Sequence, residues 1–294
     1  MDNLKERYIN PLTDFGFKKL FGTEPNKVLL IDFLNQVLPQ KHKIKELVYS
    51  QNEHLGNSTL DRKAIFDLFC KGENGERFIV EIQKAKQNFF KDRSVYYASF
   101  PIQEQAKKGD WNFQLAPVYT VGILDFIFDD HKTEKEMLHI VELKNQRCEV
   151  FYDKLKFVYI ELPKFMKTED ELTTQLDKWL YVLRYLSNLN DQPKKLNSEI
   201  FGQLFASAEL ATFKPEERVA YQESLKYYRD IKNVVDTSKE EGLKEGIKQG
   251  IKQGIKQGVG KRNIEIAIKM KKDGESNEKI MKYTGLTKVE IENL

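Results

Sequence analysis

Cysteine, histidine and uninterrupted apolar stretches are all scarce in this sequence, and each shortage closes off a class of function. Two cysteines in 294 residues, Cys70 and Cys148, cannot build a disulfide framework, and Cys70 sits in an apolar run where a buried thiol is the ordinary outcome. The four histidines, His42, His54, His131 and His139, show no metal-ligand spacing, and no Cys/His set points to zinc. The opening MDNLKERYIN lacks the apolar segment of a leader peptide. The longest apolar run, Val118 to Phe128, is interrupted by Thr120, Gly122 and Asp125. The expectation is a soluble protein of a reducing compartment, the cytoplasm, with no membrane partner. A phosphate-binding glycine loop is missing too, because the tail glycines lack the preceding strand and the Lys-Ser/Thr ending, so no small-molecule cofactor is expected.

Charge of one sign is scarce only on average. The chain carries 48 Lys+Arg against 45 Asp+Glu, a net of +3. Residues 237–294 hold 13 basic and 9 acidic residues, however, and residues 244–272 hold 9 basic and 2 acidic ones. The body is slightly acidic and the tail basic, a distribution that suits phosphate attraction by the tail.

What the sequence has in quantity is apolar and aromatic material, 40% and 12%, enough for a large core. Asn10 to Phe21 reads as a short helix capped by Thr13, with Phe17, Leu20 and Phe21 at helical spacing, and residues 26–38 as a second helix stopped by Pro39. Ile44 to Tyr49, Lys63 to Lys71 and Arg77 to Lys84 read as strands, the last two joined through Asn74-Gly75. A helix over residues 85–108 follows, then strands over 117–128, 137–143 and 156–162, then helices over 172–189, 198–210 and 216–235. This order predicts an α/β or α+β core, a mixed sheet flanked by helices, with a C-terminal helical extension.

The tail repeats every four residues: Gly242, Gly246, Gly250, Gly254 and Gly258 each precede an aliphatic residue. Each mid-helix glycine costs about 1 kcal/mol relative to alanine, which favours a linker. The absent Cβ atoms equally allow a close homotypic helix pair of right-handed drift. Residues 263–272, 275–283 and 288–294 then suggest short helices, with Thr287 and Glu290 forming a capping box; a small helix-turn-helix and a protein-docking hairpin both explain them.

Chemistry concentrates in the hairpin of residues 64–84. Side chains alternate faces along a strand, so Ile79, Glu81 and Gln83 share one face while Phe78, Val80, Ile82 and Lys84 share the other. A connecting loop of odd length pairs residues summing to 148 and sets Asp67 opposite Glu81. Like charges so placed repel, and a hard divalent cation offsets them well. An even loop would put the two on opposite faces, and salt bridges to Arg62, Lys63 or Arg93 would also neutralise them.

Asp67 followed by a hairpin to Glu81-Ile-Gln83, inside this element order, resembles the PD-(D/E)XK nuclease core. With Asn10-Pro-Leu-Thr-Asp-Phe-Gly-Phe-Lys-Lys-Leu-Phe-Gly22, Gly75-Glu-Arg-Phe-Ile-Val-Glu-Ile-Gln83 and the glycine-rich basic tail, the chain resembles more narrowly the transposase group of that superfamily, the recombination-promoting nucleases. The resemblance implies a restriction-endonuclease-like fold and Mg²⁺- or Mn²⁺-dependent cleavage of DNA in recombination or transposition. It implies Asp67, Glu81 and Gln83 as catalytic residues, with Asp67, Glu81 and the Ile82 carbonyl holding metal. Gln83 stands where the wider superfamily has lysine, and a neutral amide can position water but cannot offset phosphate charge. Lys84 faces the other way and cannot substitute without a bulge. Asp14 is a candidate third acid, and Lys18, Lys63, Lys86 and Arg93 are candidate substrate contacts. The domain reading is a nuclease-like domain over residues 1–190, a helical extension over 191–236, a basic repeat helix over 237–262 that would join a homodimer, and a helix-turn-helix-like tail over 263–294. A noncatalytic DNA-binding or interaction module on a degenerate nuclease fold is the alternative.

Overall fold

The stretch Asn10-Pro-Leu-Thr-Asp-Phe-Gly folds into a helix start that satisfies its own backbone. Thr13 Oγ1 donates to the Asn10 carbonyl and accepts from the Gly16 amide, while Asn10 Oδ1 accepts from the Leu12 amide. Gly16 is required by close approach: a Cβ there would lie 2.1 Å from the Asn10 carbonyl oxygen. The helix that follows, α1, spans Asp14–Phe21, and α2 spans Lys27–Val37. These are elements of a computed structural model that describes residues 6–39, 43–50, 53–54, 64–106 and 112–294.

Among the described residues, eight strands follow in part from the expected runs: β1 Leu47–Tyr49, β2 Glu53–His54, β3 Ala64–Ile65, β4 Leu68–Gly72, β5 Arg77–Gln83, β6 Val118–Leu124, β7 Leu138–Lys144 and β8 Val150–Glu161. The strand expected over 63–71 is broken into β3 and β4 at Phe66-Asp67. Helix α3, Phe90–Gln103, starts later than expected, because Phe89 adopts φ 60 ahead of it. Six strands form one mixed sheet in the order β1-β4-β5-β6-β8-β7, with β5, β6 and β8 parallel and the outer pairings antiparallel. Phe78, Val80, Val121, Ile123, Val158 and Ile160 turn one face toward α1, α2, α4 (Gln175–Tyr185) and α5 (Glu199–Ala208), a core centred on Phe21, Phe33 and Trp179. Leu124, Phe157 and Tyr159 turn the other face toward Phe90 and Ala98 of α3. The expected α/β architecture of a mixed sheet between helices is therefore present.

The long helix α6, Pro215–Lys272, runs through the glycine repeat without interruption and takes in the segment expected as a separate helix over 263–272. The chain divides into two compact units, the first ending at Lys232 and the second spanning Asn233–Leu294. In the first, Asn10 and Phe15 amides donate to Tyr221 and Ser224 of α6, and Lys19 pairs with Glu217, which fixes α1. In the second, Ala267 packs with Ile280 of α7 (Asn277–Thr284) and Ile291 of α8 (Lys288–Glu292), and the Thr287/Glu290 capping box forms as expected. Leu243, Ile247, Ile251, Ile255 and Val259 are exposed, and a Cβ added to any repeat glycine would meet nothing. Among the described residues, no helix is long and apolar enough to cross a membrane.

Candidate active site

The β4–β5 hairpin decides the site, and its loop is odd. The Gly72 amide donates to the Glu76 carbonyl and the Gly75 amide to the Gly72 carbonyl, leaving Glu73, Asn74 and Gly75 as a three-residue connection. Gly75 takes φ 86, the left-handed position that such a turn needs glycine to fill. Lys71 pairs with Arg77, Cys70 with Phe78 and Leu68 with Val80, all summing to 148, so the frame that opposes Asp67 to Glu81 is the one adopted.

Asp67 does not continue the ladder with its backbone. Its Oδ2 accepts from the Ile82 amide at 2.7 Å, so the carboxylate takes the place of a strand acceptor in the plane of the sheet. This explains the break between β3 and β4. From there Asp67 acts on both faces. Burial raises its pKa, the Ile82 amide opposes that, Asp14 adds to it, and Lys18 and Lys84 oppose it. On the α3 face, burial first and the Asp67 charge second push Glu81 up to about 8, against Arg93. Burial and mutual repulsion thus act together against the ionisation of two neighbouring carboxyl groups.

Gln83 and Arg93 complete this face. Gln83 is buried, its Nε2 donates to the Ala85 carbonyl at 2.8 Å, and its Oε1 accepts from Arg93. The Arg93 guanidinium also lies 3.7 Å from Glu81, stands over the Phe90 and Tyr97 rings, and has a buried Nε with no acceptor among the described residues. The salt bridge weighed as an alternative neutraliser thus exists in part, for Glu81 and Arg93.

The other candidates separate. Asp14 pairs with Lys18 at 2.8 Å on the surface of α1, and both act on Asp67. Lys86 is exposed and paired with Asp129, and Lys63 lies outside the described residues. Lys84 does take the face opposite Glu81, yet this does not remove it from the site. Its ammonium sits 5.1 Å over the Tyr227 ring; burial lowers its pKa, while Asp14 and Asp67 hold it up. Strand alternation had set Lys84 aside; the signal for it was the in-plane position of Asp67, which no spacing in the sequence announces.

Two of the histidines, which show no ligand spacing in the sequence, do meet in the fold. His131, His139 and Glu161 come together at the end of β8, from segments that the sequence keeps apart.

Gln83, Leu124 and Glu161 share one register row at the carboxyl ends of β5, β6 and β8, the end of an open α/β sheet at which ligand crevices form. No curated protein and no solved structure is significantly similar to the chain. Residues 11–238 match the family profile described as PD-(D/E)XK nuclease family transposase. That span contains the whole six-stranded sheet and every described residue of the acidic pair's surroundings, and the chain therefore belongs to the PD-(D/E)XK nuclease family transposases.

Proposed function

We propose that this protein is a metal-dependent DNA endonuclease that hydrolyses phosphodiester bonds in recombination or transposition. The observation that carries the reading is the burial of Asp67 beside Glu81, with Glu81 pushed up to about 8. A site so built sets two carboxyl groups side by side out of water, and its donors are oxygens, which suits a hard divalent ion, Mg²⁺ or Mn²⁺. Asp67 and Glu81 would hold it together with the Ile82 carbonyl. In an extended strand the N–H and C=O of one residue point to the same side, and the Ile82 amide points at Asp67. The bound cation supplies a water of lowered pKa and neutralises charge on the phosphate oxygens.

The chain's own residues supply the rest. Arg93 brings the cation that Gln83 lacks, with its guanidinium on the Gln83 amide and 3.7 Å from Glu81. Gln83, fixed at both ends of its amide, holds the guanidinium in place. Asp14 and Lys18 border Asp67 from α1 as further acid and phosphate contact. Two copies, joined through the repeat helix with its exposed aliphatic stripe, would present one site to each strand of a duplex.

The test is nicking of supercoiled plasmid with Mg²⁺, Mn²⁺ or EDTA, beside Asp67→Ala and Glu81→Ala. Cation-dependent nicking lost in both variants is expected, and nicking that survives both would overturn the assignment. The second reading, a DNA-binding module without cleavage, has on its side that the Gln83 amide is already engaged. Retardation of DNA in gels without nicking under any cation would select it.

A further inference from the structure

The polar cluster at the end of β8 is distinct from the acidic pair and comes from three separate segments. His131 lies in the turn after β6, His139 on the edge strand β7, and Glu161 is the last residue of β8. His131 Nδ1 lies 3.2 Å from Glu161 Oε1, and His139 Nε2 lies 3.1 Å from Glu161 Oε2. The two rings stack with centroids 4.1 Å apart, so both nitrogens converge on one carboxylate from the same side. Glu161 is fully buried, and the imidazoles are 18% and 13% exposed.

A carboxylate has about four lone-pair positions. In Glu161 two are taken by groups that cannot be ligands: the Phe128 amide at 2.7 Å on Oε1, and Lys164 at 2.6 Å on Oε2. Lys164 is anchored independently on the Glu136 carbonyl. Such partners orient a ligating carboxylate. The imidazole nitrogens occupy the remaining positions at distances a single ion could bridge. Zinc–nitrogen and zinc–oxygen bonds of about 2.0–2.2 Å at tetrahedral angles separate neighbouring ligand atoms by roughly 3.3–3.5 Å; here the two nitrogens lie 3.2 and 3.1 Å from different oxygens of Glu161, and one ligand atom from each residue lies within 4.8 Å of the other two.

We propose that His131 Nδ1, His139 Nε2 and a Glu161 oxygen form a binding site for a borderline divalent cation of the Zn²⁺ class, with solvent completing its shell. Each imidazole gives its lone pair to the ion and carries its proton on the other ring nitrogen, so binding needs a tautomer exchange and no oxidant or reductant. Lys164 and the Phe128 amide stay on the carboxylate. Nitrogen ligands select this ion over Mg²⁺, which the oxygen-only acidic pair would prefer. The ion would tie the edge strand and the turn after β6 to β8. Asp129 and Asp130 of that turn pair with Lys86 and Lys91, which flank the loop leading from Gln83 into α3. Glu161 stands two strands from Gln83 on the same row, roughly 10 Å by strand spacing.

The test uses the full chain, stripped with chelator and titrated with Co²⁺ as a spectroscopic stand-in for Zn²⁺. Expected is one Co²⁺ per chain with the intense visible bands of a low-coordinate ion, displaced by Zn²⁺, and unchanged in the Asp67→Ala/Glu81→Ala double variant. His131→Gln and His139→Gln should each weaken binding by about 100-fold or more, the upper end of what losing a partner of a ligand costs. Lys164→Gln keeps all three ligands and trades an orienting partner for the loss of a competing cation, so it should still show the same bands as wild type. Folded wild-type and Lys164→Gln proteins that both show no such bands would overturn the site and leave the cluster a hydrogen-bonded one. Bands that vanish in the Asp67→Ala/Glu81→Ala variant would overturn it as well, by placing the ion at the acidic pair.

Discussion

Glu81→Gln is the sharpest perturbation of the acidic pair, because it removes one ionisation and nearly preserves shape. Burial and the Asp67 charge push Glu81 from an ordinary 4.5 up to about 8. Between those two pH values the metal-free folded protein keeps a proton that the unfolded chain has released. The folded state therefore binds more protons, and stability falls as pH rises: the contribution is complete below about 4.5 and is lost through about 8. At 1.36 kcal/mol per pH unit, with titration partial near 8, raising the pH from about 6 to about 9 removes about 2–3 kcal/mol from wild type. For a unit of this size that is about 4–12 °C in melting temperature. Thermal melts in EDTA across this range should show the decline in wild type and a much flatter profile in Glu81→Gln. Excess Mn²⁺ should restore wild type most at high pH, where the carboxylate is free to bind it, and leave the variant unmoved. A Glu81→Gln profile that falls as steeply as wild type, and answers Mn²⁺ equally, would refute the placement of the charge.

Asp67→Asn keeps an oxygen for the Ile82 amide and withdraws the charge, so Glu81 should titrate clearly below about 8; carboxyl carbon NMR of labelled protein reads this directly, and an unmoved Glu81 would mean the two do not interact. Arg93→Gln removes the group that opposes the Glu81 shift, so nicking should drop by about 100-fold near neutral pH and its pH profile should move upward. A lower rate with an unmoved profile would mean that Arg93 serves substrate binding alone. Ile247→Lys combined with Ile251→Lys charges the exposed aliphatic stripe of α6. On the proposed pairing of two copies, light scattering should show a dimer for the wild-type chain and a monomer for this variant, with the melting temperature within a few degrees; equal masses would refute the pairing.

The parts of the fold that rest on local rules were legible in the sequence. Thr13 caps α1, Asn74-Gly75 turns the hairpin, and the period-2 pattern of Phe78, Val80, Glu81 and Gln83 sorts correctly onto two faces, while the sequence leaves open whether the loop is odd or even and only the fold shows it odd. The odd loop in turn fixes which carboxylates meet, a long-range consequence of a three-residue feature. The glycine repeat reads as a helix against its intrinsic propensity, with a linker as the alternative, and α6 does run through it; what local rules miss is that the helix is continuous from Pro215 to Lys272. The histidine pair was invisible for a different reason. Ligand spacing is a signal only when ligands share one turn or one helix. His131 and His139 are brought to Glu161 by the antiparallel return of β7 onto β8, where His139 pairs with Tyr159 and Leu138 with Ile160.

The largest revision concerns where positive charge comes from. Reading β5 as a strand assigns each residue to one face and invites the conclusion that a site missing its lysine at Gln83 has no cation. That inference assumes the site has one face. Asp67 breaks the assumption, because its carboxylate lies in the sheet plane on the Ile82 amide and is reached from both sides. Arg93 then approaches Glu81 and Gln83 from α3, and Lys84 approaches Asp67 from the α1 side, held over Tyr227 of α6. Both are fixed by packing between elements far apart in the chain: Arg93 against Phe90 and Tyr97, Lys84 against a residue more than a hundred positions later. A strand motif can report that its own lysine is gone, but only the tertiary structure can report that two neighbouring elements have brought cations to the same carboxylates.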